Sequence, residues 1–128
     1  MDSEPELKRV HADARGEMYS ITLPGGREIM LLHSKAGSLR GGHLHSVDEH
    51  VIVLEGRMRY HKQRGGYSGT TEEMETGDYS FNQARVVHMG EFLEDSWVLE
   101  VKDARIGEWT QANHEPWRQR VRENGAAV

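Results

Sequence analysis

The run HVIVLE, residues 50 to 55, is apolar at both parities of a strand and is closed by Gly56. A strand exposed on one side alternates apolar and polar residues, whereas one apolar on both sides must be covered on both faces. That rules out a lone solvated sheet and requires a sandwich or barrel. The interior would cover one face, and a second layer or a second copy of the chain the other. Other strand-like segments recur at short, regular spacing: MYSITL from Met18 to Leu23, REIMLLH after the LPGGR turn, HLHS, GRMRYHK, EEMETGDYSF with a turn at Gly77 and Asp78, ARVVHMGEF and SWVLEVKD. Glycine-rich connections between such segments are the pattern of an all-β sandwich or barrel.

The organisation that follows is an N-terminal arm over residues 1–17, a β-barrel domain over 18–112 and a short helix with its tail over 113–128. Asn113 caps a helix predicted over 114–123, with Glu115 and Pro116 in its first turn and Asn124-Gly125 as its stop. Trp117 and Val121, four residues apart, would peg it to the barrel.

Composition narrows the function. A chain of 128 residues with 16 Lys+Arg against 21 Asp+Glu carries a formal charge of -5, which points away from nucleic acid and anionic membranes and toward a small-molecule substrate. With no cysteine, disulfides and thiol chemistry are excluded, and any metal site must use nitrogen and oxygen ligands. The opening MDSEPELKRV lacks the basic segment and apolar run of a secretory signal, and no later stretch could span a bilayer, so the expected location is cytoplasmic.

The chemistry gathers in GSLRGGHLHSVDEHVIVLEG, residues 37 to 56. His43 and His45 are separated by one residue, which on a strand places both on the same face roughly 6.6 Å apart at the backbone. Imidazoles so spaced can converge on one ion at roughly 2.1 Å each, and Glu49, just after the SVD corner, is placed to face back and close the set. The alternative is a hydrogen-bonded polar pocket without metal.

This stretch resembles the first signature of the cupin superfamily: glycine, five residues, His-x-His, three or four residues, Glu, six residues, glycine. Gly37, His43, His45, Glu49 and Gly56 fill every fixed position. In the second signature Gly77 and His88 match, while Gln83 stands for the usual proline, Arg85 for a glycine and Phe92 for an asparagine. Arg85 in that place implies either a differently shaped turn or a functional charge near the pocket mouth.

The resemblance implies a double-stranded β-helix, or jelly-roll barrel, ending in a short C-terminal helix, and a homodimer. It implies one divalent metal at His43, His45, Glu49 and His88, with iron, manganese or nickel favoured and zinc, cobalt or copper possible. The activity it implies is dioxygenase-type chemistry on a small organic molecule. Glu49 would serve as ligand and base, and Arg85 or Tyr60 would orient an anionic substrate. A redox-neutral isomerase, cyclase or lyase, and a non-catalytic binding or sensing barrel, are the alternatives.

The remaining candidates carry plainer readings. Asp48 and His50 belong to the surface or an interface, His33, His61 and His114 are ordinary exposed or edge histidines, and His11 sits in the arm. Met30, Met58, Tyr60, Tyr79, Phe81, Met89 and Trp97 line a cavity or pack the core. Tyr67 lies in a glycine-rich hairpin loop that would serve as a lid only if it folded over the site. Arg118, Arg120 and Arg122 read as a solvated helix face.

Overall fold

The computed structural model describes residues 5–63 and 69–124, which form eleven strands and one helix. In chain order they are β1 (Glu6–Asp13), β2 (Gly16–Thr22), β3 (Arg27–Ser34), β4 (Leu39–His45), β5 (Glu49–Glu55), β6 (Arg57–Gln63), β7 (Thr70–Glu75), β8 (Tyr79–Asn82), β9 (Val87–Phe92), β10 (Ser96–Arg105), β11 (Gln111–Asn113) and α1 (Glu115–Asn124). They build two antiparallel sheets, one in the order β1-β2-β3-β10-β5-β8 and the other β11-β4-β9-β6-β7. The expected jelly-roll barrel is therefore the fold observed. Tyr67 and the side chains of Trp117, Arg120, Val121 and Arg122 lie outside the described residues.

Within the stretch read as an arm, β1 is an edge strand paired with β2 from Glu6↔Thr22 to Asp13↔Gly16, yet every one of its residues is exposed. Its polar composition hides it from hydrophobic periodicity, because an edge strand that covers little apolar surface needs no alternation. The three-residue β11 is equally silent in sequence and pairs with β4, Gln111↔His45 and Asn113↔His43.

The core lies between the sheets. Val51, Val53 and Val98 from one sheet meet Met58, Tyr60, Met74 and Phe92 from the other. These are the inward residues of β5, β6, β7, β9 and β10, as period-two alternation requires. A second cluster, Val87 and Met89 with Leu39 and Leu44 against it, occupies positions of β9 and β4 that alternate with His88 and His43. Gly56 closes the turn between β5 and β6 at φ 114°, and a Cβ there would run into Ser96 Oγ and Asp95 O.

The outer face of β5 is not covered by the described chain itself. Val51 and Val53 are buried, but Ile52 is only half-buried and Leu54 is 46% exposed, beside the exposed Tyr79 and Phe81 of β8. Among the described residues the chain supplies no second layer over this face, and Tyr79 and Phe81 line no interior. His61 departs from its reading too: it is buried at 1% exposure, with Nδ1 3.0 Å from Thr71 Oγ1.

Met58→Ala, in the center of the core, should cost about 2–5 kcal/mol by the ordinary cost of a buried cavity, whereas Leu54→Ala should stay within about 0.5 kcal/mol. Urea unfolding of the two variants measures both.

Candidate metal centre

Local sequence chemistry sets the positions of the four expected ligands. In β4 the pairing with β9 runs Arg40↔Gly90 and Gly41↔Met89, then slips to His43↔His88. The slip is a β-bulge at Gly41 and Gly42, which sit at φ 102° and 79°, a conformation that glycine adopts without strain. One extra residue lets Arg40 and His43, three apart, both line the interior cavity. Glu49 opens β5 after the SVD corner and is fully buried.

The turn that leads into β9 is docked on the first signature. Ala84 N donates to Asp48 Oδ1 at 2.8 Å, Arg85 N donates to His45 O at 2.8 Å, and Val86 N donates to Gln83 O at 3.1 Å. Arg85 takes φ 70°, the left-handed conformation that a glycine would adopt at its place in the signature. The turn thus keeps its path despite the substitution. The Arg85 side chain is exposed and is not among those lining the interior cavity, so the structure does not bring it to the site. Asp48 serves as the anchor of this turn, while His50 bonds Tyr79 and Asp103 at the surface.

His43, His45 and His88 come together as a triangle, with ring centroids 4.8, 4.8 and 5.0 Å apart and ligand nitrogens all within 4.8 Å of one another. Desolvation holds all three imidazoles neutral. It lowers His43 and His88 to about 3, helped by the neighboring imidazoles, and lowers His45 against the attraction of Glu49. Hydrogen bonds then fix where the protons are. His88 Nδ1 faces the Val86 carbonyl at 3.1 Å and must donate to it, leaving a bare lone pair on Nε2. His45 Nε2 lies 3.0 Å from Gln111 Oε1 and donates to it, leaving Nδ1 bare.

Both bare nitrogens face Glu49. His88 Nε2 is 3.3 Å from Oε1 and His45 Nδ1 is 3.7 Å from Oε2. With neutral imidazoles these are contacts of acceptor against acceptor rather than salt bridges, and His88 Nε2 and His45 Nδ1 are buried without a hydrogen-bond partner. Among the described residues no donor meets either bare nitrogen, so a cation among these atoms would relieve the repulsion. The donor set, three nitrogens and a carboxylate oxygen, fits a divalent transition metal. The neighboring groups fit as well, because Val86 O and Gln111 Oε1 orient two of the rings from behind.

Two further groups hold Glu49, and spacing did not reveal them. Lys102, buried on β10 opposite Glu49, brings Nζ to 3.2 Å from Oε2 and lies 4.3 Å above the Trp109 ring. Asn82 Nδ2 donates to Glu49 Oε1 at 3.3 Å and to Tyr60 Oη at 2.6 Å. Tyr60 is buried as expected of a cavity residue, and burial together with the Glu49 charge keeps its hydroxyl protonated.

Beside the triangle is a cavity of about 420 Å³, whose lining includes His43, His88, Tyr60, Arg40, Glu100 and Arg118. Among the described residues the Glu100 carboxyl makes no hydrogen bond. Burial first, and the Glu49 charge second, push its carboxyl up to about 8. Arg118, read from sequence as part of a solvated face, instead reaches this interior.

No protein-family model and no curated protein matches the chain. Solved structures do. CapF, the capsular polysaccharide assembling protein from Staphylococcus aureus, is 18% identical with a TM-score of 0.69, over 80% of this chain and 30% of its own. Oxalate decarboxylase from Lactobacillus farciminis, solved as a formate complex, is 16% identical with a TM-score of 0.74, over 95% and 39%. The Momordica charantia 7S globulin is 14% identical with a TM-score of 0.70, over 85% and 36%. This chain thus spans about a third of the length of the structures it matches. Among the described residues, no helix is long and apolar enough to cross a membrane.

The depressed imidazoles make metal-free stability depend on pH. Unfolding releases His43 and His88 to take up protons below their ordinary value of 6.5, while the folded state refuses them down to about 3. Stability should therefore fall as pH drops from 6.5 toward 3, by up to about 1.4 kcal/mol per pH unit for each imidazole, and His88→Gln should flatten the slope. Urea unfolding of chelator-treated protein across this range measures it.

Proposed function

The chain has the cupin fold, and on that premise we propose that it holds one divalent metal ion at His43, His45, Glu49 and His88 and acts on a small organic molecule in the adjoining cavity. The observation that carries this reading is the convergence of bare acceptor atoms: His88 Nε2 and His45 Nδ1 against the two oxygens of a fully buried carboxylate. A polar pocket without metal would alternate donors and acceptors. Here the protons of two rings are committed to Val86 O and Gln111 Oε1 on the far side.

Bound there, the ion supplies Lewis-acid chemistry or a position for dioxygen beside the substrate. Iron, manganese and nickel are the ions proposed, with zinc, cobalt and copper as substitutes. Lys102 holds Glu49 Oε2 and so leaves Oε1 on the side of His88. The Tyr60 hydroxyl accepts from Asn82 and keeps its own proton to donate to a substrate oxygen.

Dioxygenase-type oxidation is the first reaction class proposed. Glu100 favors a second: a carboxyl facing the cavity, pushed up to about 8, is a proton donor at neutral pH of the kind that a redox-neutral isomerase or lyase needs. Oxygen uptake on adding substrate separates the two classes.

Elemental analysis of protein purified without chelator should find about one equivalent of a transition metal, lost in His45→Ala and in His88→Ala. A protein that neither carries nor takes up metal would overturn the reading. Lys102→Met supplies an independent check. In stripped protein it leaves Glu49 buried without a counter-charge and should cost about 3–5 kcal/mol, much of which added metal should restore. Thermal melts with and without the ion report the difference.

A further inference from the structure

Arg40 and Arg118 are two cations that the metal site does not use. Arg40 is 7% exposed, and its guanidinium lines the cavity. Nε donates to Ser34 Oγ at 2.7 Å and Nη2 to the His33 carbonyl at 3.3 Å, while Nη1 makes no hydrogen bond. Among the described residues, no carboxylate lies within ion-pair distance of it. Desolvation and the nearby Arg15 act against its charge, while Asp13, Glu100 and Glu17 act for it from beyond ion-pair distance. A buried cation with no carboxylate in contact is costly, and an anion entering the cavity would offset that cost.

Arg118 arrives from the other side of the same bulge. The glycine pair that turns Arg40 and His43 inward also clears a path for it, since a Cβ on Gly42 would collide with Cβ, Cγ and Cδ of Arg118. His114 N donates to Gly42 O at 2.9 Å, and Arg118 N in turn donates to His114 O at 3.0 Å, which fixes the start of α1 over the bulge. Arg118 Nη1 donates to Glu115 Oε1 at 2.7 Å, but Nε is buried with no partner. Two arginines, one with a buried Nε that has no partner, therefore line one cavity with His43 and His88.

We propose that Arg40 and Arg118 form an anion subsite that takes a carboxylate of a small organic acid. The inference deepens the proposed function, on which it rests for the idea that the cavity receives substrate, and it assigns that substrate a negative charge. The planar fork of arginine suits a carboxylate, and a charge-assisted bond in a desolvated site is stronger than a neutral one. Glu100 does not cancel the subsite, because among the described residues it makes no ion pair with either arginine, and burial favours its neutral form. Arg118 supplies the selective part: it is carried on α1, while the metal-type ligands are carried on β4, β5 and β9.

The test uses malonate, succinate and glutarate against the corresponding diamides, titrated calorimetrically into the full chain, both stripped and loaded with one equivalent of Mn(II). At least one diacid should bind, and bind tenfold or more tighter than its diamide. Arg118→Ala should erase that preference and Arg118→Lys retain part of it, with unchanged melting temperature and manganese content; Arg40→Lys should weaken it as well. No preference in the wild type, or a preference that survives both Arg118→Ala and Arg40→Lys, overturns the subsite. Anion binding that vanishes with the metal and ignores Arg118 also overturns it, since the carboxylate would then sit on the ion. If the protein takes up no metal but still selects the diacid through Arg118, the subsite stands and the metal reading falls.

Discussion

A carboxylate with no access to water organises this barrel. Glu49 is taken out of solvent entirely, at a desolvation penalty of several kcal/mol, and the surrounding residues are arranged to offset it. Lys102 reaches across from β10, Asn82 donates from β8, and two imidazoles turn bare nitrogens toward it from β4 and β9. Both sheets thus contribute to one charge, so the site is also a joint between them. Each oxygen meets one donor and one bare nitrogen: Oε2 has Lys102 and His45, and Oε1 has Asn82 and His88.

Local spacing explains what could be read from the sequence. His43, His45 and Glu49 were legible because their spacing is local, fixed by strand parity and one corner. His88 was legible through its separation from Gly77, although Gln83, Arg85 and Phe92 depart from the usual turn; Arg85 simply adopts the glycine's left-handed conformation. The all-β barrel was legible in a β5 apolar at both parities and in strand-like segments recurring at short, regular spacing.

What escaped were long-range meetings. Lys102 follows Glu49 by 53 residues, and only the register of β10 on β5 makes them neighbors. Arg118 looks like any arginine of a polar helix until Gly42 is seen to admit it. Gln111 belongs to a strand too short and too polar to announce itself. His61 was misjudged because nothing local says that Thr71 and Glu91 will enclose it. Arg85 was overvalued because a charge in a signature position looks purposeful, whereas here its backbone supplies the contact and its side chain points to solvent.

The short strand β11 ties the end of the chain to the site. Its Gln111 is bonded to His45, its backbone pairs with His43 through His45, and α1 begins immediately after it. Release of β11 would therefore remove both the acceptor that orients His45 and the backbone pairing beside His43. By linkage, whatever occupies the imidazoles must slow local opening of the tail, and whatever frees the tail must weaken their hold on an occupant to the same extent.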